Sequence, residues 1–119
     1  MGHRRWFKVH AEKWLRGSMR DTTSEIRGIW IDTLSLASDG FYGDEGIIQV
    51  AEGKGLADTQ IARIFNIPAS QWQQAKQFFL ANDMLRCSGE NVLEVVNWKV
   101  YQSEYQRQKQ YRDKEEKPF

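Results

Sequence analysis

The stretch that decides the fold is LADTQIARIFNIPASQWQQAKQFFLAND, residues 56–83. Its apolar side chains recur at helical spacing in two blocks that are predicted to face the core, which are Ile61, Ile64 and Phe65, then Trp72, Ala75 and Phe79. Between the blocks, Pro68 suits the first turn of a helix and is disfavoured inside one. The spacing therefore predicts one helix over about residues 58–66 and a second that runs to about residue 82. Two short helices joined by a short turn form the helix-turn-helix pattern.

Two strand-like runs follow the helix pair. These runs are MLRC and VLEVV, and the turn-forming residues SGEN lie between them. Helix, turn, helix and β-hairpin is the order of a winged helix, with the hairpin as the wing. The sequence thus predicts a mainly α fold with a small β-hairpin, an α+β winged helix-turn-helix with an added C-terminal helix. We expect a winged-helix domain with a basic N-terminal arm over residues 1–97, and a basic, aromatic helix and tail over 98–119.

The N-terminal third predicts a strand and two helices. RWFKVH has the aromatic and β-branched composition of a short strand, and AEKWLRGSM predicts a short helix that Gly17 ends. DTTSEIRGIWIDTLSLAS carries a longer apolar stripe at helical spacing, formed by Ile26, Ile29, Trp30, Thr33, Leu34 and Ala37. Thr22 and Glu25 have the spacing of a capping box at its start. A further short strand is expected at IIQV.

Composition points to a single globular domain. The chain has 119 residues, of which 28% are charged and 40% hydrophobic, and it shows neither a membrane-span pattern nor a signal peptide. Cys87 is the single cysteine and is expected to pack as a small apolar side chain in a cytoplasmic protein. His3 and His10 lack the partners of a metal or nucleophile motif. We therefore expect a protein that is not an enzyme and needs no cofactor.

The formal net charge of +1 conceals a strong asymmetry along the chain. Residues 1–20 carry six basic and one acidic side chain, whereas residues 21–98 carry five basic and eleven acidic ones. Residues 99–119 carry six basic and four acidic side chains. Positive charge at both ends of the sequence is typical of a surface that binds a polyanion.

The C-terminal segment NWKVYQSEYQRQKQYRDK combines aromatic rings with positive charge. Asn97 is a plausible N-cap, and an aromatic stripe follows at spacings of three and four. We expect Trp98 and Tyr101 to pack against the domain's own core. For Tyr105 and Tyr111, a second copy of the chain, DNA and solvent are all open alternatives.

Several of these segments resemble the N-terminal winged-helix domain of phage replisome organiser and DnaD-like replication-initiation proteins. The resemblance lies in RWFKVHAEKW, EIRGIWIDTLSLAS, QIARIFNIP and, most specifically, VVNWKVYQSEYQRQKQYRDK. It implies DNA binding at a replication origin and, in longer relatives, recruitment of a replicative helicase. Those relatives continue into a second helical domain, whereas this sequence ends at KEEKPF, as a single-domain protein or an N-terminal half would.

Helix-turn-helix proteins place the outer face of the second helix in the major groove. Here that face predicts base contacts by glutamine and serine side chains, and the basic ends and the wing predict phosphate contacts. The candidate DNA-binding residues are Arg4, Arg5, Ser70, Gln73, Gln74, Lys76, Gln77, Arg86, Lys99, Arg107, Lys109, Arg112 and Lys114. Duplex DNA is the favoured ligand, and stacking by the C-terminal tyrosines would suit a single strand.

Two other functions are compatible with the same pattern. The second helix carries one cation, Lys76, and is followed by Asp83, so its charge also suits a protein-interaction or oligomerisation module. A homo-oligomer could form through the C-terminal helix, and replication proteins are further candidate partners. A small transcriptional regulator would have the same fold.

Overall fold

The computed structural model describes residues 6–39 and 45–101. Within these ranges the helices are α1 (Ala11–Arg16), α2 (Ser24–Asp39), α3 (Asp58–Phe65), α4 (Ala69–Ala81) and α5 (Trp98–Tyr101). The strands are β1 (Ile47–Ile48), β2 (Leu85–Gly89) and β3 (Val92–Val95). Helices and a small antiparallel sheet together confirm the predicted α+β fold class.

The predicted helix pair and hairpin lie where the sequence places them. α3 and α4 are separated by residues 66–68, and β2 and β3 pair antiparallel directly after α4. β1 adds a third strand, so that the order in the sheet is β1-β3-β2 and β3 is central. Because β3 has neighbours on both sides, three of its four residues are buried.

Three large side chains form the centre of the core. Trp30 of α2 and Trp72 and Phe79 of α4 are at most 2% exposed. The rings of Trp30 and Phe79 are 4.8 Å apart between centroids and tilted by 53°. The predicted inward positions of α2 and α4 are thus confirmed, and their burial leaves the opposite side of α4 to solvent.

The start of α2 differs from the prediction by one residue. The Ile26 N–H donates to the Thr23 hydroxyl at 3.2 Å, whereas the Thr22 hydroxyl donates to the Met19 carbonyl at 2.7 Å. A 3-10 turn over Ser18–Asp21 precedes the helix and engages Thr22. The predicted capping box with Thr22 as the N-cap was therefore wrong, because an adjoining turn took its hydroxyl.

The predicted N-terminal strand is also wrong. The described residues 6–10 of this segment join none of the strands of the sheet. Instead, the Lys8 N–H donates to the Tyr101 carbonyl of α5 at 2.8 Å. Strand-like composition does not specify which segment will pair with the backbone. Here the partner is a carbonyl of α5 and not a neighbouring strand.

Two apolar side chains lie outside the core although the sequence placed them inside it. Ile64 of α3 is 50% exposed, and Ala62 is buried instead, because the buried side of the helix is centred between Ile61 and Ala62. Cys87 is exposed as well. In β2, which is an edge strand of the sheet, only Leu85 is buried.

The hairpin tip is supported by the loop that precedes α3. The Gly55 N–H donates to the Glu90 carbonyl at 2.7 Å, and the Glu90 N–H donates to the Gly53 carbonyl at 3.3 Å. The same loop turns sharply at Gly53, whose φ is +76°. The Lys54 N–H donates to the Ala51 carbonyl at 2.9 Å across this turn. Three segments, not two, therefore meet at the hairpin tip.

We expect Gly55→Ala to destabilise the domain by about 1–3 kcal/mol, because the added methyl group would overlap the Asn91 carbonyl of the hairpin tip. Gly28→Ala is the matched control. Apart from the backbone of its own helix, no atom lies within 4 Å of a methyl group at Gly28, so a gain of about 0.5–1 kcal/mol is expected there. Urea unfolding followed by circular dichroism measures both changes, and equal stabilities for the two variants would contradict the close packing at Gly55.

Candidate nucleic-acid interface

The turn between α3 and α4 has a defined backbone conformation. Asn66 ends α3 in the left-handed region with a φ of +58°, which asparagine tolerates better than most residues. Pro68 is the N-cap of α4, and its φ of −62° matches the angle that its ring imposes. The rings of Phe65 and Trp72 then meet edge to face at 5.6 Å between centroids. These contacts fix the direction in which α4 leaves the turn.

The outer face of α4 is exposed, as predicted. Ser70, Gln73, Gln74 and Gln77 all lie on the solvent side of the helix. Their position follows from the burial of the opposite face, since a 3.6-residue repeat directs these side chains away from the core. Contact of these side chains with DNA stays a prediction.

Lys76 is engaged within the protein. Its Nζ lies 2.8 Å from the Asp58 Oδ1 at the start of α3, and the Trp72 Nε1–H donates to the same oxygen at 3.0 Å. The Lys76 and Asp58 side chains are only 22% and 28% exposed. This ion pair joins α3 and α4 and compensates the charge of a predicted DNA-binding residue.

Burial alone would raise the pKa of the Asp58 carboxyl. Hydrogen bonds from Lys76 and Trp72, the positive charge of Lys76 and a hydrogen bond from Gln73 outweigh burial, and the pKa of Asp58 lies below its ordinary value. The carboxylate is therefore ionised throughout the neutral range. Sequence reasoning missed Asp58, because nothing in the linear spacing connects position 58 with position 76.

Two other predicted cations, Arg86 and Lys99, share one depression of about 530 Å³ between the hairpin and the start of α5. Glu45 and Glu94 also line it. Arg86 is 3.5 Å from Glu94, its register partner across the strands, and the Arg86 side chain is 65% exposed. The Glu94 side chain is 22% exposed, so the pair is open to solvent on the Arg86 side, where its attraction is screened and weak.

Sequence reasoning also missed a cation beside the hairpin tip. The Lys54 side chain is exposed, and the Lys54 backbone pairs with that of Glu90 in the hairpin. By contrast, Arg20 is tied to the N-terminal part of the fold, because its guanidinium donates to the Trp14 carbonyl at 3.1 Å. At least one cation of the N-terminal segment therefore stabilises the fold.

Trp98 and Tyr101 pack against the core, which confirms their predicted role. The Tyr101 ring lies 6.2 Å from Trp30 in an edge-to-face arrangement. Burial raises the pKa of the Tyr101 hydroxyl, against a smaller opposite effect of a hydrogen bond with Trp30. Gly46 has a φ of +90° and lies so close to the Trp98 ring that a side chain there would collide with it.

The remaining predicted residues lie outside the described residues. They are Arg4, Arg5, Tyr105, Arg107, Lys109, Tyr111, Arg112 and Lys114. Over residues 6–39 and 45–101, the acidic, histidine and cysteine side chains form no group of three that could hold a metal ion. Every helix in those ranges is too short or too polar to cross a bilayer.

The elements thus define an α+β domain in which a helix-turn-helix is followed by a β-hairpin. The sequence profile of the N-terminal phage replisome organiser family matches residues 12–118. The chain belongs to this family, which confirms the resemblance to phage replisome organisers and supports a role in the initiation of phage DNA replication. No curated protein and no solved structure matches the chain.

The ion pair between Asp58 and Lys76 makes a prediction about pH. Because the pKa of Asp58 is lowered in the folded state, its contribution to stability is present above the unfolded-state pKa and is lost as pH falls through the folded-state pKa. We expect Asp58→Asn to lower the free energy of unfolding by about 1 kcal/mol at neutral pH. The difference from the parent protein should shrink as pH falls through the folded-state pKa of Asp58.

Asp32→Asn is the matched control for this measurement. Burial raises the pKa of Asp32, so removing that charge should leave stability at neutral pH unchanged or higher. Urea unfolding of the three proteins at several pH values measures the effect. A pH-independent difference between Asp58→Asn and the parent would show that the charge of Asp58 does not stabilise the fold.

Proposed function

We propose that the chain is a winged-helix DNA-binding protein of phage replication initiation that performs no catalysis. In this proposal α4 enters the major groove of duplex DNA, and basic residues on other segments bind phosphates. The observation that carries it is the outer face of α4, where four hydrogen-bonding side chains are exposed. The opposite face of the same helix is buried in the core. Membership of the replisome organiser family supports the same reading.

The polar face of α4 suits base readout better than phosphate binding. Glutamine and serine can donate and accept hydrogen bonds at base edges in the major groove. With Lys76 held by Asp58, α4 itself supplies little charge for phosphates. Affinity for a polyanion must therefore come from other segments.

Several exposed cations on neighbouring elements can supply that charge. Arg63 is exposed on α3, the helix that crosses the phosphate backbone in helix-turn-helix complexes. Lys54 and Arg86 are exposed on the wing, and Lys99 is exposed at the start of α5. The C-terminal segment adds Arg107, Lys109, Arg112 and Lys114, and the N-terminal arm adds Arg4 and Arg5.

A second candidate function is supported by the exposed apolar side chains. Ile64 is 50% exposed on α3 and Val50 is 47% exposed after β1. Winged helices also bind proteins, and such residues suit an interface with another replication protein or with a second copy of the chain. In that case the helix-turn-helix would contribute shape and not base readout.

Binding to labelled duplex and single-stranded DNA, measured by fluorescence anisotropy over a salt series, tests the leading proposal. We expect duplex binding that weakens steeply with salt. Replacing Arg107, Lys109 and Arg112 together by Ala should weaken binding and make the salt slope shallower by up to about 3, because each phosphate contact contributes about 0.9 to the slope.

The matched control replaces Gln106, Gln108 and Gln110 by Ala, which alters the same segment without changing its charge. Its salt slope should equal that of the parent. Unchanged binding in the cationic triple variant would remove the C-terminal segment from the interface. Absence of duplex binding even at low salt would contradict the DNA-binding proposal and favour the protein interface.

A further inference from the structure

The outer face of α4 contains a continuous stripe of exposed residues. Ser70, Gln74, Gln77 and Ala81 follow one another at spacings of four, three and four. All four are exposed, and a turn of 100° per residue places them within about 60° of one another around the helix axis. The stripe lies opposite Trp72, Ala75 and Phe79 and is the part of α4 farthest from the core. Side chains along it would meet base edges first in a groove.

The chemistry of the stripe is selective among base pairs. A glutamine amide matches adenine, because it can accept a hydrogen bond from the adenine N6 amino group while it donates to N7. The methyl group of alanine packs well against the thymine methyl group. Guanine presents two acceptors in the major groove and is best bound by the two donors of arginine or by lysine. No such cation occurs in the stripe.

The ion pair between α3 and α4 reinforces this selectivity. Lys76 is the single cation of α4, and its Nζ is held 2.8 Å from the Asp58 Oδ1 on the flank of the helix. Gln73 also contributes to the lowered pKa of Asp58, so its amide lies on the same flank. Gln74 and Gln77 therefore remain as the glutamines of the stripe, and no cation of α4 lies beside them to donate hydrogen bonds to guanine.

We infer that α4 reads A·T base pairs from the major groove, with Gln74 and Gln77 each bound to an adenine. This inference rests on the proposed duplex binding and names the class of DNA site that the domain prefers. Ser70 precedes the two glutamines and can bond to either kind of pair. A replication site rich in A·T pairs at the positions facing α4 is the expected target.

Selection from a random duplex pool with the full chain identifies the preferred site. We expect enrichment of A·T pairs at two or more positions, and about tenfold weaker binding when a G·C pair replaces one of them, since a bidentate contact discriminates by about 5- to 150-fold. Substituting 7-deazaadenine in the selected site removes the N7 acceptor but preserves base pairing and the minor groove. It should weaken binding to a similar degree.

Paired variants assign the preference to the stripe. Gln74→Ala combined with Gln77→Ala should bring the ratio of affinities for A·T and G·C sites close to one, while salt-dependent duplex binding persists. Gln71→Ala is the matched control, because Gln71 is a half-buried glutamine of the same helix outside the stripe. It should retain the preference. Circular dichroism verifies that both proteins are folded.

The outcomes separate this inference from the proposal on which it rests. Duplex binding without A·T preference, or a preference that survives both 7-deazaadenine and the double variant, would overturn adenine readout by α4 and leave the DNA-binding function standing. A surviving preference of that kind would indicate recognition of minor-groove shape. If the chain binds no duplex DNA, both the inference and the proposed function are wrong.

Discussion

The burial of Trp30 is the contact on which the rest of the domain depends. Its ring packs at 4.8 Å on Phe79 of α4 and at 6.2 Å on Tyr101 of α5, so one side chain of α2 connects three helices that are distant in sequence. The α4 face that we assign to DNA is set by this packing, because rotation of α4 would withdraw Phe79 from the Trp30 ring. Close packing in the core thus determines which polar side chains face outward.

Charge is divided between parts of the domain that have different tasks. Both side chains of the Asp58–Lys76 pair are partly buried, and the pair connects two helices. In the Arg86–Glu94 pair the carboxylate is buried to a similar degree, but the guanidinium is exposed. Arg20 is bound to a backbone carbonyl and belongs to the scaffold. Counting basic residues therefore overstates the charge available to a polyanion, and position within the fold decides which cations are free to act.

The spacing of apolar residues along the sequence was sufficient to predict the main elements. α2, α4, the hairpin and the packing of Trp98 and Tyr101 could be predicted, because large apolar residues at helical or alternating spacing leave few ways to bury them. The errors arose where tertiary contacts decide. Ile64 is exposed because a smaller residue, Ala62, occupies the inner side of α3. Thr22 does not cap α2 because its hydroxyl donates to the Met19 carbonyl of the preceding turn. Of the candidate site, the exposed face of α4 was predictable from periodicity, but the Asp58–Lys76 pair joins residues that only the fold brings together.

The hydrogen bond from the Lys8 N–H to the Tyr101 carbonyl joins the two ends of the described chain. A contact between residues so far apart in sequence closes a loop of nearly the whole domain, and such contacts are costly to form early in folding. During synthesis on the ribosome, the N-terminal segment emerges first and must wait for its partner until α5 has left the exit tunnel. The helix-turn-helix and the hairpin, built from local contacts, can form before that closure, so the two ends would join a domain that is already folded.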